Sequence, residues 1–292
     1  MALSFTMKPR RAPVAPAGEK RRVLLTGATG NIGSFLAQQM HETYDLRLLV
    51  RSPEENAEVE AYGEVLNTDL SNLAELKTAC EGIDTVVHMA GDPKPSAVWQ
   101  DLLDANIIGT YNMMVAAKAA GCRRLIYASS IHAVGGYPSG VQVKPSDPVN
   151  PGDLYGVSKC FGEALGRYMA EQEGLEVIVL RIGAFGPREK ARKGDELYFL
   201  DSFVSRRDLT HLVDQCIKDE SLQFAIFNAL SNNSFLKLDI TDVRELVGYE
   251  PQDDFFKENP VLAPLAISEK RSDHNVADTS NESGLREELS IL

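Results

Sequence analysis

Short apolar runs alternate along this chain with stretches that read as helix. The runs fall near residues 23–25, 46–50, 64–66, 84–89, 124–128 and 176–181, with another at 224–229. They are mainly apolar, with no regular apolar/polar alternation, which predicts strands buried on both faces of a parallel sheet. Helices are expected near 32–42, 72–80, 97–120 and 154–173, then at 206–219 and, more briefly, at 240–246. Regular alternation of this kind predicts an α/β fold, a doubly wound parallel sheet with helices on both faces. The core would occupy residues 22–260, with a small C-terminal substrate-binding region over about 184–260. Residues 1–21 are Pro/Ala-rich and read as a disordered basic arm. Residues 261–292 turn polar without apolar period and read as a disordered tail.

The first predicted strand, Val23-Leu24-Leu25, runs straight into Thr26-Gly27-Ala28-Thr29-Gly30-Asn31-Ile32-Gly33, and a helix follows. Strand, glycine-rich turn and helix in that order form the dinucleotide-binding context of a Rossmann-type sheet. Gly27 permits the tight turn, Gly30 lets backbone approach a pyrophosphate, and Gly33 lets helix pack on strand. Thr29, Asn31 and Ile32 complete the turn, whose N–H groups at the helix start would face phosphate. The second strand ends Val50-Arg51-Ser52. An acid at that end would bind the ribose 2′-hydroxyl of NAD, whereas Arg51 can pair with the 2′-phosphate of NADP. NAD and NADP both stay open, with Arg51 favouring NADP. Ala90-Gly91, at the end of the fourth strand, leaves room for a cofactor against the backbone.

Ser130 closes the fifth predicted strand, at the carboxyl edge where open α/β sheets place their chemistry. Tyr155 then opens a helix, with Lys159 four residues on and so on the same face. A cation beside a phenol favours the phenolate and is expected to lower the Tyr155 pKa. Tyr155 would move the hydroxyl proton, Ser130 would hold the substrate oxygen, and Lys159 would tune the phenol. His132 is a candidate for a sugar hydroxyl. Arg188, in the basic run Arg188, Lys190, Arg192 and Lys193, is a candidate for a phosphate or carboxylate.

Composition narrows the field. The 292 residues are 43% hydrophobic and 25% charged, ample for one α/β core. A net charge of −12 argues against a nucleic-acid partner. No window approaches the roughly 20 apolar residues of a membrane span. Cys80, Cys122, Cys160 and Cys216 show no C-x-x-C spacing and read as reduced thiols, which points to the cytoplasm. The basic, acid-poor start leaves organellar import open. No cluster has metal-ligand spacing.

The TGxxGxxG turn with the Ser130, Tyr155, Lys159 set resembles the extended short-chain dehydrogenase/reductases, the NAD-dependent epimerase/dehydratase family, over roughly residues 22–250. Leu154-Tyr155-Gly156-Val157-Ser158-Lys159-Cys160-Phe161-Gly162-Glu163, Arg181-Ile182-Gly183 and Ser129-Ser130 followed by His132 are similar to bacterial uronate dehydrogenases. Gly91-Asp92-Pro93 and His132-Ala133-Val134-Gly135 are similar to an archaeal NAD-dependent glucose-6-phosphate dehydrogenase. The resemblance implies that Asp69 and Leu70 border the adenine, that Ile182 lies at the cofactor, and that Asn106 supports a proton relay or orders its helix. It also implies a homodimer built on helices 97–120 and 154–173. The departures fall on the substrate side. Ile131 stands where uronate dehydrogenases have Asn, Pro93 stands near their substrate-contacting Ser, and their carboxylate-gripping Arg has no counterpart in Leu197 to Ser205. The implied activity is hydride transfer between NAD(P) and a hydroxyl of a sugar, sugar acid or sugar phosphate. A sugar epimerase or dehydratase, and a cofactor-binding regulator without turnover, are the alternatives.

Overall fold

The computed structural model describes residues 20–192 and 197–265; the predicted arm over 1–21, the tail over 261–292 and Lys193 lie wholly or largely outside them. The elements in chain order are β1 (Arg22–Thr26), α1 (Asn31–Met40), β2 (Asp45–Val50), β3 (Glu64–Asn67), α2 (Leu73–Ala79), β4 (Thr85–His88), α3 (Trp99–Leu102), α4 (Gly109–Ala119), β5 (Arg124–Ser130) and α5 (Leu154–Glu171). Then come β6 (Glu176–Ile182), β7 (Ala184–Gly186), α6 (Glu189–Arg192), β8 (Phe203–Ser205), α7 (Arg206–Lys218), β9 (Phe224–Ala229), α8 (Thr241–Val247) and α9 (Phe255–Glu258).

Seven strands form one sheet in the order β3-β2-β1-β4-β5-β6-β9, every neighbouring pair parallel. The order reverses between β1 and β4, so the crevice at their carboxyl ends is the place where such sheets hold ligands. Two apolar layers cover the faces. One gathers Leu36, Leu48, Val87, Ile178, Leu212 and Phe227. The other gathers Leu24, Leu76, Val86, Met113, Leu125 and Val179. Strands buried on both sides explain the mainly apolar runs of the sequence. Among the described residues no helix is long and apolar enough to cross a membrane.

Two features depart from the sequence reading. The helix expected over 97–120 is broken into α3, a π-helical stretch Leu103–Ile108 and α4. The wide turn swings the buried Asn106 toward Asp92 and Ser158, which it hydrogen-bonds, and such bulges accompany functional sites. The parallel pair β7–β8 was not anticipated. Each of its strands has only three residues, too few to leave a periodic signal.

α5 is seated by side-chain chemistry as well as by packing. Asp153 caps it, its carboxylate accepting from Gly156 N–H at 2.7 Å. Gly162 lies so close to Tyr127 that a Cβ there would come within 2.2 Å of the ring. One turn beyond Lys159, Glu163 accepts from Arg181 of β6 at 3.0 and 2.9 Å and from the Ser129 hydroxyl of β5 at 2.6 Å. Arg181 is 1% exposed and Glu163 3%. Removing one partner would strand a buried charge. The variant Arg181→Met is expected to lose about 3–5 kcal/mol of stability in urea denaturation, and adding Glu163→Gln should recover part of it.

Candidate active site

Two clefts meet over the carboxyl edge of the sheet. The first, about 660 Å³, is lined by Gly27, Gly30, Asn31, Ile32, Gly33, Ser130, His132, Tyr155, Lys159 and Ile182 among others. The second, about 900 Å³, is lined by Thr29, Arg51, Asp69, Leu70 and Ala90, and shares Gly27, Gly30 and Gly91 with the first. The expected cofactor and catalytic residues therefore border one continuous trough, with Asn106 just behind it.

The turn after β1 has the shape a dinucleotide needs. Gly27 sits at φ 66°, and a Cβ there would approach the Ala90 nitrogen at 2.8 Å. A Cβ on Gly33 would fall 2.0 Å from the Gly27 carbonyl oxygen. No side chain caps α1 and no acid occupies its first turn, so its leading N–H groups stay open to the trough. Thr26 braces the opposite wall. Its hydroxyl accepts from Ala90 N–H at 3.1 Å and is hydrogen-bonded to Nδ1 of the buried His88 at 2.8 Å. Burial holds His88 neutral, pushing its pKa down to about 3, and the Lys159 charge adds to that. These residues fit a pyrophosphate and a nicotinamide riboside.

Asn106 shapes the junction of the clefts. Its side chain accepts from Asp92 N–H at 2.8 Å and donates to the Asp92 carbonyl at 3.1 Å and to Ser158 Oγ at 3.0 Å. Ser158 in turn donates to the Tyr155 carbonyl at 2.7 Å. Asn106 thus ties the Gly91-Asp92 turn to the first turn of α5, and it orders both.

At the outer end of the second cleft, Arg51 is 79% exposed and lies 4.0 Å from Glu55. Glu55 also accepts from the Thr29 hydroxyl at 2.7 Å. The sequence reading missed Glu55, which lies in the short 3-10 helix Pro53–Glu58 after the strand end, because its partner Thr29 comes from the distant glycine turn. The carboxyl of Asp69 is held below its usual range, chiefly by the Ser71 N–H.

The three residues expected to be catalytic, Ser130, Tyr155 and Lys159, line the same cleft. Lys159 Nζ lies 5.5 Å from the Tyr155 ring centre and 5.3 Å from that of Tyr127. The electrostatic expectation for Tyr155 is overturned. Burial raises its pKa above the usual 10.0, Ser130 pulling it down only in part. Lys159 is itself desolvated, pushed from 10.5 down to about 8, and donates at 2.9 Å to the Ala128 carbonyl instead of to the phenol. His132 stands edge-on to Tyr155 with ring centres 5.3 Å apart, and its Nδ1 is 2.7 Å from Asp153. Asp153 therefore both caps α5 and orients His132, a double role with no sequence signal of its own.

Arg188 does not belong to the trough. Its guanidinium pairs with Asp253 at 3.0 Å and with Glu258, and Arg192 pairs with Glu258 at 3.0 Å. These pairs tie the segment over 188–192 to the one over 253–258 and hold Arg188 and Arg192 there, while Lys190 lies over the Phe199 ring at 5.1 Å. The outer wall of the first cleft comes instead from Phe185, Phe199, Asp201, Ser202 and Lys237, none of them singled out from the sequence.

Residues 23–216 match the NAD dependent epimerase/dehydratase family. The chain is 33% identical over 249 residues to the NAD-dependent glucose-6-phosphate dehydrogenase of Haloferax volcanii, covering 79% of this chain and 93% of that one. It is 34% identical over 254 residues to the L-arabinose 1-dehydrogenase (NAD(P)(+)) of the same organism, covering 80% and 96%. The crystal structure of uronate dehydrogenase from Agrobacterium tumefaciens superposes with a TM-score of 0.73 at 30% identity, covering 88% of this chain and 92% of that one. A mutant of that protein is complexed with NAD.

The buried Lys159 has a cost that shows in stability. Its pKa is lower in the folded chain than in the unfolded one, so below pH 8 the desolvated cation opposes folding in full. The penalty is relieved as pH rises from about 8 toward 10.5. Lys159→Met is expected to gain up to about 3 kcal/mol at pH 7, with the advantage shrinking toward pH 10. Urea denaturation at the two pH values reads the difference.

Proposed function

The chain belongs to the NAD dependent epimerase/dehydratase family, and from that premise and the geometry of the trough we propose that it is an NAD(P)-dependent dehydrogenase acting on a ring hydroxyl of a sugar, sugar acid or sugar phosphate. The observation that carries this reading is the meeting of Ser130, Tyr155 and Lys159 in one cleft beside the glycine-rich turn. The dehydrogenase names of the similar proteins support it.

Gly27, Gly30, Asn31, Ile32 and Gly33 would hold the pyrophosphate, Asp69 and Leu70 the adenine side, and Gly91, Lys159 and Ile182 the nicotinamide riboside. When bound, the oxidised cofactor supplies a hydride acceptor and a positive charge that favours the Tyr155 phenolate. Tyr155 accepts the proton of the substrate hydroxyl. Ser130 donates to the oxygen as charge builds on it, and loses little entropy because the main-chain N–H of His132 already bonds its Oγ at 3.2 Å. The phenol is raised in the free protein, so its basic form grows with pH and sugar oxidation should speed up as pH rises. Arg51 favours the 2′-phosphate of NADP, while the Glu55 carboxylate beside it repels that group, so both cofactors should be accepted.

The test is absorbance at 340 nm with glucuronate, galacturonate, glucose 6-phosphate and neutral aldoses, each with NAD and with NADP. Cofactor reduction that falls at least about 10²-fold in Tyr155→Phe is expected. Arg51→Asp should move preference toward NAD and Glu55→Gln toward NADP. Failure of every sugar to reduce either cofactor would overturn the dehydrogenase reading and favour isomerisation.

We also propose a homodimer. Trp99, Tyr111, Leu154, Val157 and Tyr168 expose apolar side chains on the helices over 99–119 and on α5, the helices on which the dimer would be built. Light scattering should give twice 32.0 kDa, and Tyr111→Glu should shift the mass toward the monomer.

A further inference from the structure

The inner half of the first cleft holds the proton-transfer groups, and the outer wall meets whatever the sugar carries away from the reacting hydroxyl. Among the described residues lining this cleft, the Lys and Arg side chains are Lys159 and Lys237. Lys159 is spoken for by the Ala128 carbonyl. Lys237 is half-buried, and its ammonium makes no hydrogen bond or ion pair with the described residues.

The backbone of Lys237 is fixed from both sides. Its N–H donates to the Asp201 carbonyl at 3.0 Å, and its carbonyl accepts from Val143 N–H at 2.9 Å. The next residue, Leu238, is fully buried and bridges to Val143. Asn228 of β9 clamps the same crossing, donating to the Val143 carbonyl at 3.2 Å and to the Asp239 carbonyl at 2.8 Å. A long cation on an immobile base, partly desolvated and without a counter-charge, is arranged for an anion that arrives with a ligand. Asp201 lines the same wall outside ion-pair distance of the ammonium. Of the basic run, Arg188 and Arg192 are committed to Asp253 and Glu258, and the Lys190 ammonium lies over the Phe199 ring, 5.1 Å from its centre.

We propose that Lys237 is the substrate-specificity residue, its ammonium pairing with the carboxylate or phosphate of a sugar whose reacting hydroxyl lies at Tyr155 and Ser130. This deepens the dehydrogenase reading and rests on it. Anionic sugars would be taken over neutral aldoses, and sugar acids are distinguished from sugar phosphates by which of them shows the Lys237 effect.

The experiment compares the full-length protein with Lys237→Met and Lys237→Arg, using glucuronate, galacturonate, glucose 6-phosphate and neutral aldoses. Lys237→Met is expected to raise KM for the preferred anionic sugar about 10- to 100-fold, with kcat changed less than about threefold. Neutral aldoses should be unaffected, and Lys237→Arg should keep most of the anionic preference. Calorimetry in a Tyr155→Phe background reads binding of the same sugars without turnover. There, adding Lys237→Met should weaken the anionic sugar by the same factor and leave the neutral ones alone. Equal losses for anionic and neutral sugars, or no loss at all, would overturn the assignment. So would the absence of anionic-sugar binding in Tyr155→Phe. Turnover of neutral aldoses alone, indifferent to Lys237→Met, would sink Lys237 and leave the dehydrogenase standing. Anionic-sugar binding that depends on Lys237 without any cofactor reduction would do the reverse.

Discussion

The contact on which the rest of the site depends is the buried pair of Glu163 with Arg181. It joins the helix that carries Tyr155 and Lys159 to the strands that end at Ser130 and Ile182. Ser129 of β5, Arg181 of β6 and Asn228 of β9 stand in register in one row across the sheet. At one end of the row, Glu163 fixes the azimuth of α5. At the other, Asn228 grips the Val143–Leu238 crossing and so the base of Lys237. A row of polar side chains on the sheet thus runs between α5 and the Val143–Leu238 crossing. An ion pair so deeply buried is not there for stability alone, because apolar residues of the same volume could serve as well. It supplies a register that apolar packing leaves loose.

Inside that frame, burial and charge pull against each other. Desolvation raises Tyr155 and depresses Lys159, so in the free chain neither group is poised by the other as a simple phenol–ammonium pair would be. The free chain holds a protonated phenol and an ammonium parked on the Ala128 carbonyl. A binding event that brings charge into the cleft changes that balance, and the cost of the buried ammonium is borne by the fold in the meantime. Active sites commonly trade stability in this way.

The two clefts are joined where backbone must come closest. Gly27 and Ala90 nearly touch across the switch point, Thr26 and His88 brace the strand ends beneath them, and Asn106 reaches across from a π-helical turn. The dinucleotide half is thus built mostly from main chain. The outer half is built from side chains on short segments.

The sheet was legible because strands buried on both faces leave mainly apolar runs, and the strand-turn-helix glycines and the Tyr155/Lys159 spacing are local patterns. Ser130, Tyr155, Lys159 and the Gly27–Gly33 turn could therefore be placed from neighbours in sequence. Glu55, Asp153 and Lys237 could not, nor could the diversion of Arg188 to Asp253 and Glu258, because each depends on a partner brought in from elsewhere or on an irregular segment without periodicity. The sign of the Tyr155 shift went wrong for the same reason. Spacing along a helix brings a cation near a phenol, but how much water either keeps is decided by every element packed around them. The chain by itself carried Ser130, Tyr155, Lys159 and the glycine turn as local patterns. Tertiary structure alone decided how far Tyr155 and Lys159 are desolvated and which cations line the cleft, since desolvation and pairing are properties of the assembled interior.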